Sequence, residues 1–254
     1  MTSTLACLGL GDLGDDADLT ALLDAARPQA RLLASYAGYR ALRWRDESGA
    51  CLTLVEHGEG PGAELVDLVP SYDGPHGVRL GGLTGRGSYV AASLLAADGD
   101  GTVRTTLVVD LAQGLLPPDG LEPPRDAALT ALGTDVACFA DAAAFAVSAR
   151  SAVRATLPSA PADARFSPET LLSTGLFAAP DAATPTAFLS GTVLTSTTRT
   201  TDARERAFHA VQVRCLGQVV TVCLDADDHE APPVGATLAG DCYLVADVPG
   251  LWAP

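Results

Sequence analysis

Arg79 and Arg86, set among Gly81, Gly82, Gly85 and Gly87 with His76 just ahead, are the side chains of this chain best suited to chemistry. Closely spaced glycines can turn successive backbone N–H groups toward one anion, and a guanidinium clamps phosphate or carboxylate through two parallel hydrogen bonds. The stretch from Gly77 to Ser88 is therefore expected to be a loop holding a small anionic ligand or, with no ligand, a plain connection between strands.

A second group, Asp225, Asp227, Asp228, His229 and Glu230, is the densest run of metal-ligating types. Its carboxylates suit a hard cation and His229 a transition metal. A contiguous run cannot aim every side chain at one point, however, and Pro232-Pro233 follows it, so an exposed acidic loop is the competing expectation.

Three other patterns fall short of the chemistry they suggest. Gly9-Leu10-Gly11-Asp12-Leu13-Gly14 has the glycine spacing of a dinucleotide fingerprint, but Asp12, Asp15 and Asp16 would face the phosphates. No acid stands between Gln29 and Asp46 to take a ribose hydroxyl. Asp98-Gly99-Asp100-Gly101-Thr102 looks like the middle of a calcium loop, yet the first and last ligand positions fall on Ala96 and Leu107, which leaves a hairpin turn. The histidines His57, His76, His209 and His229 have no HExxH spacing, and no GxSxG elbow surrounds a serine. No residue is assigned a catalytic role and no cofactor is expected.

Composition narrows the classes further. The chain of 254 residues has no lysine, and its 16 basic residues are all arginine against 31 acids, a usage that GC-rich coding produces. Internal Schiff bases, phosphate-loop lysines and Ser-Lys nucleophile pairs are thereby excluded. A net charge of −15 repels nucleic acid and acidic membrane surfaces, and the densest basic run is only Arg40, Arg43 and Arg45. The six cysteines form no CxxC pair, so a zinc framework is not expected; they read as small buried hydrophobes. Met1 to Leu13 has no basic residue ahead of its apolar stretch and no apolar run reaches the ~18 residues of a membrane span, so a cytoplasmic, soluble protein is expected.

The elements that must position these residues begin with a helix over Asp18 to Ala26, ended by Arg27-Pro28. Residues 39–57 read as a hairpin with Glu47-Ser48-Gly49 as a three-residue loop. Leu42 and Trp44 then share a face with Leu52 and Leu54, and the opposite face carries Arg43 and Arg45. Tyr89 to Ala97 with Thr102 to Asp110 reads as a second hairpin, and Leu65 to Val69 and the glycine-rich stretch lie between the two. Asp135 to Val147 is compatible with strand or helix. Pro158, Pro161 and Pro168 mark a linker over 156–168, and a short helix is expected from Ser167-Pro168-Glu169 through Leu172.

From Thr186 to Val248 nearly everything is strand-like. With Gly217-Gln218 as a two-residue turn, Cys215 pairs with Val220, Val213 with Val222 and Val211 with Leu224, giving one apolar face. Gln212, Arg214, Thr221, Cys223 and Asp225 lie on the other, expected to meet solvent, and Cys215 and Cys223 are on opposite faces. Four or five strands in this length resemble an OB-fold-like small barrel, with Gly191 and Gly240 at sharp bends. Leu189-Ser190-Gly191-Thr192-Val193 and Val234-Gly235-Ala236-Thr237-Leu238-Ala239-Gly240 are similar to a group of uncharacterised bacterial proteins carrying such a C-terminal barrel, a resemblance that implies a fold and no catalytic motif.

The expected architecture is α+β and β-rich: a mixed or antiparallel sheet domain with few helices over 1–155, a linker and short helix over 156–180, and an OB-like barrel over 181–254. The function expected is a non-catalytic binding or assembly protein whose partner is a protein, a peptide or a small molecule. The alternative is an enzyme or receptor for a small anionic ligand held by residues 77–88.

Overall fold

Side chains of period two drive most of this chain into strands. The computed structural model describes residues 2–11, 16–58, 60–97, 101–118 and 125–252. In chain order the elements are α1 (Asp16–Ala26), β1 (Arg31–Tyr36), β2 (Tyr39–Arg45), β3 (Ala50–His57), β4 (Glu64–Tyr72), β5 (Val78–Arg86), β6 (Tyr89–Leu95), β7 (Val103–Leu111), β8 (Arg125–Phe139), α2 (Ala142–Val147), α3 (Val153–Thr156), β9 (Thr170–Ser173), β10 (Thr186–Thr200), β11 (Ala207–Cys215), β12 (Gln218–Asp225) and β13 (Thr237–Asp247). Strand accounts for 51% and helix for 16%, which makes the fold β-rich. No helix among the described residues is long and apolar enough to cross a membrane.

Strands β1 to β4 form an antiparallel sheet in sequence order. The hairpin register is the expected one: Leu42 faces Leu54, Trp44 faces Leu52, and Gly49 closes the loop in the left-handed region at φ 93°. Asp46 organises that loop by accepting the Ser48 N–H at 2.9 Å, and its other carboxylate oxygen takes the N–H of Asp202 at 3.1 Å.

The other nine strands make one mixed sheet that nearly closes into a ring. Its centre is the antiparallel ribbon of β8 and β13. On its outer edges the ribbon is flanked at one end by β5 and β7, which β6 joins, and at the other by β12 and β10, which β11 joins. The pairings thus trace two five-strand circuits that share β8 and β13. Val78, Leu107, Leu129, Val213, Val222 and Leu244 belong to the continuous aliphatic core of both. Strand β8, which precedes the expected linker, pairs with β12 and β13 beyond it, so hydrogen bonding runs across the boundary at 155–181.

The structure corrects several expectations. Residues 77–88 are strand β5 and the turn into β6, with a register shift between Gly81 and Thr84. That bulge explains why the strand is hard to read: Leu80 and Leu83, three apart, are both buried, which breaks the period of two. The short helix expected through Leu172 is instead β9. Leu171 and Ser173 are buried and pair with Leu189 and Ala187, so alternation and a free edge of β10 outweigh the proline-led helix start. Residues 135–147 divide into the end of β8 and helix α2, capped where Asp141 Oδ1 accepts the Ala144 N–H at 2.8 Å. Within the expected linker, Phe166 is buried and stacks on Phe188 with ring centroids 4.0 Å apart.

The β11–β12 hairpin keeps a two-residue turn but places it one residue earlier than expected, at Leu216-Gly217, so the register shifts by two: Cys215 pairs with Gln218 and Val213 with Val220. Leu216 and Gly217 both adopt positive φ, 50° and 72°, as a type I′ turn requires. A shift of two preserves the faces, so the apolar side survives and Cys215 and Cys223 still point apart. The other face does not meet solvent throughout. Thr221, Cys223 and Asp225 are buried, and Cys7, Leu8 and Phe208 pack in the same cluster as Cys223. Five cysteines are buried and none is disulfide-bonded; burial pushes the Cys7 thiol up to about 12 and that of Cys51 to about 11.

Candidate functional site

The residues singled out by sequence do not converge. Arg79 lies near the start of β5, with Nε 3.8 Å from Asp126 Oδ1. Arg86 lies at the far end, roughly 20 Å away along an extended chain. Its Nη2 donates to the carbonyls of Leu176 and Ala178 at 3.3 and 3.1 Å, and its Nε is buried without a partner. Gly82 takes φ 58° at the bulge and Gly87 φ 62° at the turn, so these two serve strand geometry; Gly81 and Gly85 are ladder residues opposite Ser93 and Val90. The segment expected to be a loop is thus an extended strand paired with β6, and over Val78 to Leu80 with β8 as well.

The acidic run also disperses. Asp225 accepts the Asp227 N–H at 3.0 Å, Asp227 pairs with Arg206, and Asp228 accepts the Thr2 hydroxyl at 2.7 Å. His229 donates its backbone N–H to Asp225 O at 3.1 Å, and Glu230 follows it in the loop before Pro232. Among the described residues no three His, Cys, Asp or Glu side chains are grouped to hold a metal ion. In the glycine fingerprint, Gly9 closes a turn against Arg206 O and Thr201; Asp12, Leu13, Gly14 and Asp15 lie outside the described residues. Asp98, Gly99 and Asp100 also lie outside them, between the paired strands β6 and β7.

His209 is held at both nitrogens. Nε2 is 3.0 Å from the His229 carbonyl and must carry the proton there, so Nδ1, 3.1 Å from Thr198 Oγ1, accepts from that hydroxyl. Asp110 is the carboxyl most altered by its surroundings: burial raises it to about 6, opposed by a 2.7 Å hydrogen bond from the Tyr243 hydroxyl.

Asp228 and His229 line one cleft of about 490 Å³ with Thr2, Thr134, Asp135 and Val136. His76 enters another, where it meets an arginine of a different element. Hairpin register directs Arg43 and Arg45 away from the Leu42–Trp44 face, and β1 sets Arg31 directly across from Arg43. A register shift between Leu32 and Ala34 leaves Leu33 as an extra residue in β1. Leu33 and Arg43 are shared by two adjoining clefts. One, of about 450 Å³, is also lined by Asp73, His76, Gln113, Asp247 and Trp252; the other, of about 560 Å³, by Gln29, Arg31 and Arg45.

Within this groove the arginines differ in how far they are already committed. Arg43 Nη1 bonds Asp247 Oδ2 at 2.7 Å, and its Nη2 donates to the Ala112 carbonyl at 2.7 Å. Gln113 Nε2 completes the lock by donating to Asp247 Oδ1 and to Val248 O, while its Oε1 accepts the Val248 N–H. Arg45, 64% exposed at its side chain, pairs with Asp73. Arg31 has no ion-pair partner among the described residues and is exposed. Trp252 donates its indole N–H to Leu115 O at 2.9 Å and sets its ring 6.0 Å from that of Tyr36, adding an aromatic wall.

Three arginines against two aspartates make the groove a local inversion of sign in a chain of net charge −15. Such a surface can seat a carboxylate or phosphate on Arg31, with Arg45 exchanging Asp73 for the ligand. The lining residues of the two clefts include no Ser, Thr, Cys or Lys; the groups that face an anion there are the arginines, His76 and Gln113. Sequence reasoning missed Arg31, Gln113, Asp247 and Trp252 here. The one available signal was Arg43 and Arg45 on the polar side of the first hairpin. The chain matches no protein-family model, no curated protein and no solved structure.

Proposed function

We propose that this chain is a non-catalytic binding or assembly protein whose β1–β2 groove takes a partner bearing carboxylate or phosphate groups. The observation that carries this reading is the gathering of Arg31, Arg43 and Arg45 around one groove of an otherwise strongly acidic protein. Acidic surroundings repel an anion everywhere else, which focuses it on this surface. The wide separation of Arg79 and Arg86 weighs against the alternative, a small-ligand site built on residues 77–88. The circuit of β8, β10, β11, β12 and β13 supports the OB-like reading of the C-terminal part, with β8 supplied from the segment expected as the N-terminal domain.

Thermal unfolding in citrate or phosphate, with chloride at matched ionic strength as the control, tests the proposal. A ligand that binds only the folded state raises the midpoint. The parent protein is expected to gain stability that Arg31→Ala with Arg45→Ala removes. No gain in the parent, or an undiminished gain in the double variant, overturns the reading.

A further inference from the structure

We propose that the partner of this groove is an acidic segment of another protein, bound in extended form as an added strand along the free edge of β1. The inference rests on the groove reading above and names its ligand.

Among the described residues, strand β1 ends the four-stranded sheet and pairs with β2 alone. Its outer row of N–H and C=O groups is therefore a template for another strand. Five of its six residues are exposed or half-buried, and Leu32 and Tyr36 are 57% and 47% exposed. Apolar side chains on an open edge suit a partner that covers them.

Charge selects that partner. On β1 and β2 the charged residues are Arg31, Arg40, Arg43 and Arg45, all of one sign. The opposite edge of the same sheet, β4, carries Glu64 and Asp67 instead. An incoming strand on β1 would set an acidic side chain beside Arg31 on the face where Arg43 already lies. Further along the same face, an apolar side chain would reach Tyr36 and the ring of Trp252. A second copy of this chain fits less well, because β1 against β1 brings two sets of arginines together and joins two bodies of charge −15 each.

The test uses the full chain and a fluorescent peptide of alternating glutamate and valine, about ten residues long to match a strand. Anisotropy should show binding, and hydrogen exchange should slow at the amides of 31–36. A peptide with glutamine for glutamate, and one N-methylated at alternate residues so that it cannot donate along β1, should each bind about tenfold more weakly or worse. Because the changes are in the peptide, folding of the protein is not at issue. Equal binding of the N-methylated peptide, or protection of 64–72 in place of 31–36, overturns strand addition. If the peptide fails to bind while citrate still stabilises the protein through Arg31 and Arg45, strand addition is wrong and the anion groove stands; failure of both removes both. Dimerisation through β1 without peptide would replace the acidic segment by a second copy.

Discussion

The central ribbon β8–β13 and the outer hairpin β1–β2 are both antiparallel pairs, yet they spend their side chains in opposite ways. In the ribbon, Leu129, Ala131, Leu132, Cys242, Leu244 and Ala246 are buried, and the outer edges of both strands are taken by other strands. An added Cβ at Gly240 would strike the Asp135 carbonyl. In the hairpin, β1 keeps one edge free among the described residues, and three arginines line open clefts. A strand saturated on both edges and both faces can only contribute stability. One left half-finished retains hydrogen-bonding groups and charge that a partner can use.

Glycine substitution gives the sharpest test of that contrast. Gly240→Ala drives a methyl into the backbone of β8, and a loss of about 3–5 kcal/mol is expected from urea unfolding. Gly38→Ala in the turn of the outer hairpin, at φ 84° but with only the His57 ring 3.4 Å away, should cost about 1 kcal/mol. Equal losses would break the distinction between a packed ribbon and an open hairpin.

A smaller effect is expected from pH. Asp110 sits on β7 beside Val245 of the ribbon, and burial raises its carboxyl from 3.8 to about 6. The folded protein therefore holds this proton more tightly than the unfolded chain does. Its ionisation costs stability above pH 6, and that cost, up to about 3 kcal/mol, is relieved as pH falls from 6 to 3.8. Asp110→Asn should remove this component, leaving stability higher above pH 6 and its slope with pH more positive across the window. Parallel stability–pH curves for parent and variant would show that the ribbon exerts no such pressure.

Within the hairpin itself the arginines should separate. Arg43→Ala leaves Asp247 half-buried without its cation and is expected to cost about 2 kcal/mol. Arg31→Ala should stay within about 0.5 kcal/mol, as exposed sites do, while weakening stabilisation by citrate. If Arg31 proved as costly as Arg43, the groove would be structural throughout.

Local rules carried the sequence reading a long way where a period was unbroken. The helix ending at Ala26, both N-terminal hairpins and the strands of the last 70 or so residues follow from alternation and turn chemistry. Reading failed where one residue interrupts the period, as at the bulge that made β5 look like a loop. It failed again where a partner strand overrides a local start signal, as at β9. In the site, the polar face of Arg43 and Arg45 was legible from the three-residue loop at Glu47–Gly49. Arg31 was not, because its place across from Arg43 depends on β1 pairing, and the bulge at Leu33 hides that strand's alternation.

By itself the sequence determined the chemistry available: no lysine, acids nearly twice as numerous as arginines, and strands with one apolar and one polar face. These are properties of residue type and spacing, which act within a turn or a hairpin. Tertiary structure alone decided which arginines remain available. Arg86 is consumed by the carbonyls of 176 and 178, and Arg43 by Asp247, while Arg31 stays open at a sheet edge. Those partners lie up to about two hundred positions away, and no local pattern encodes them. They meet because the long β8–β13 ribbon gathers strands from both halves of the chain around one core.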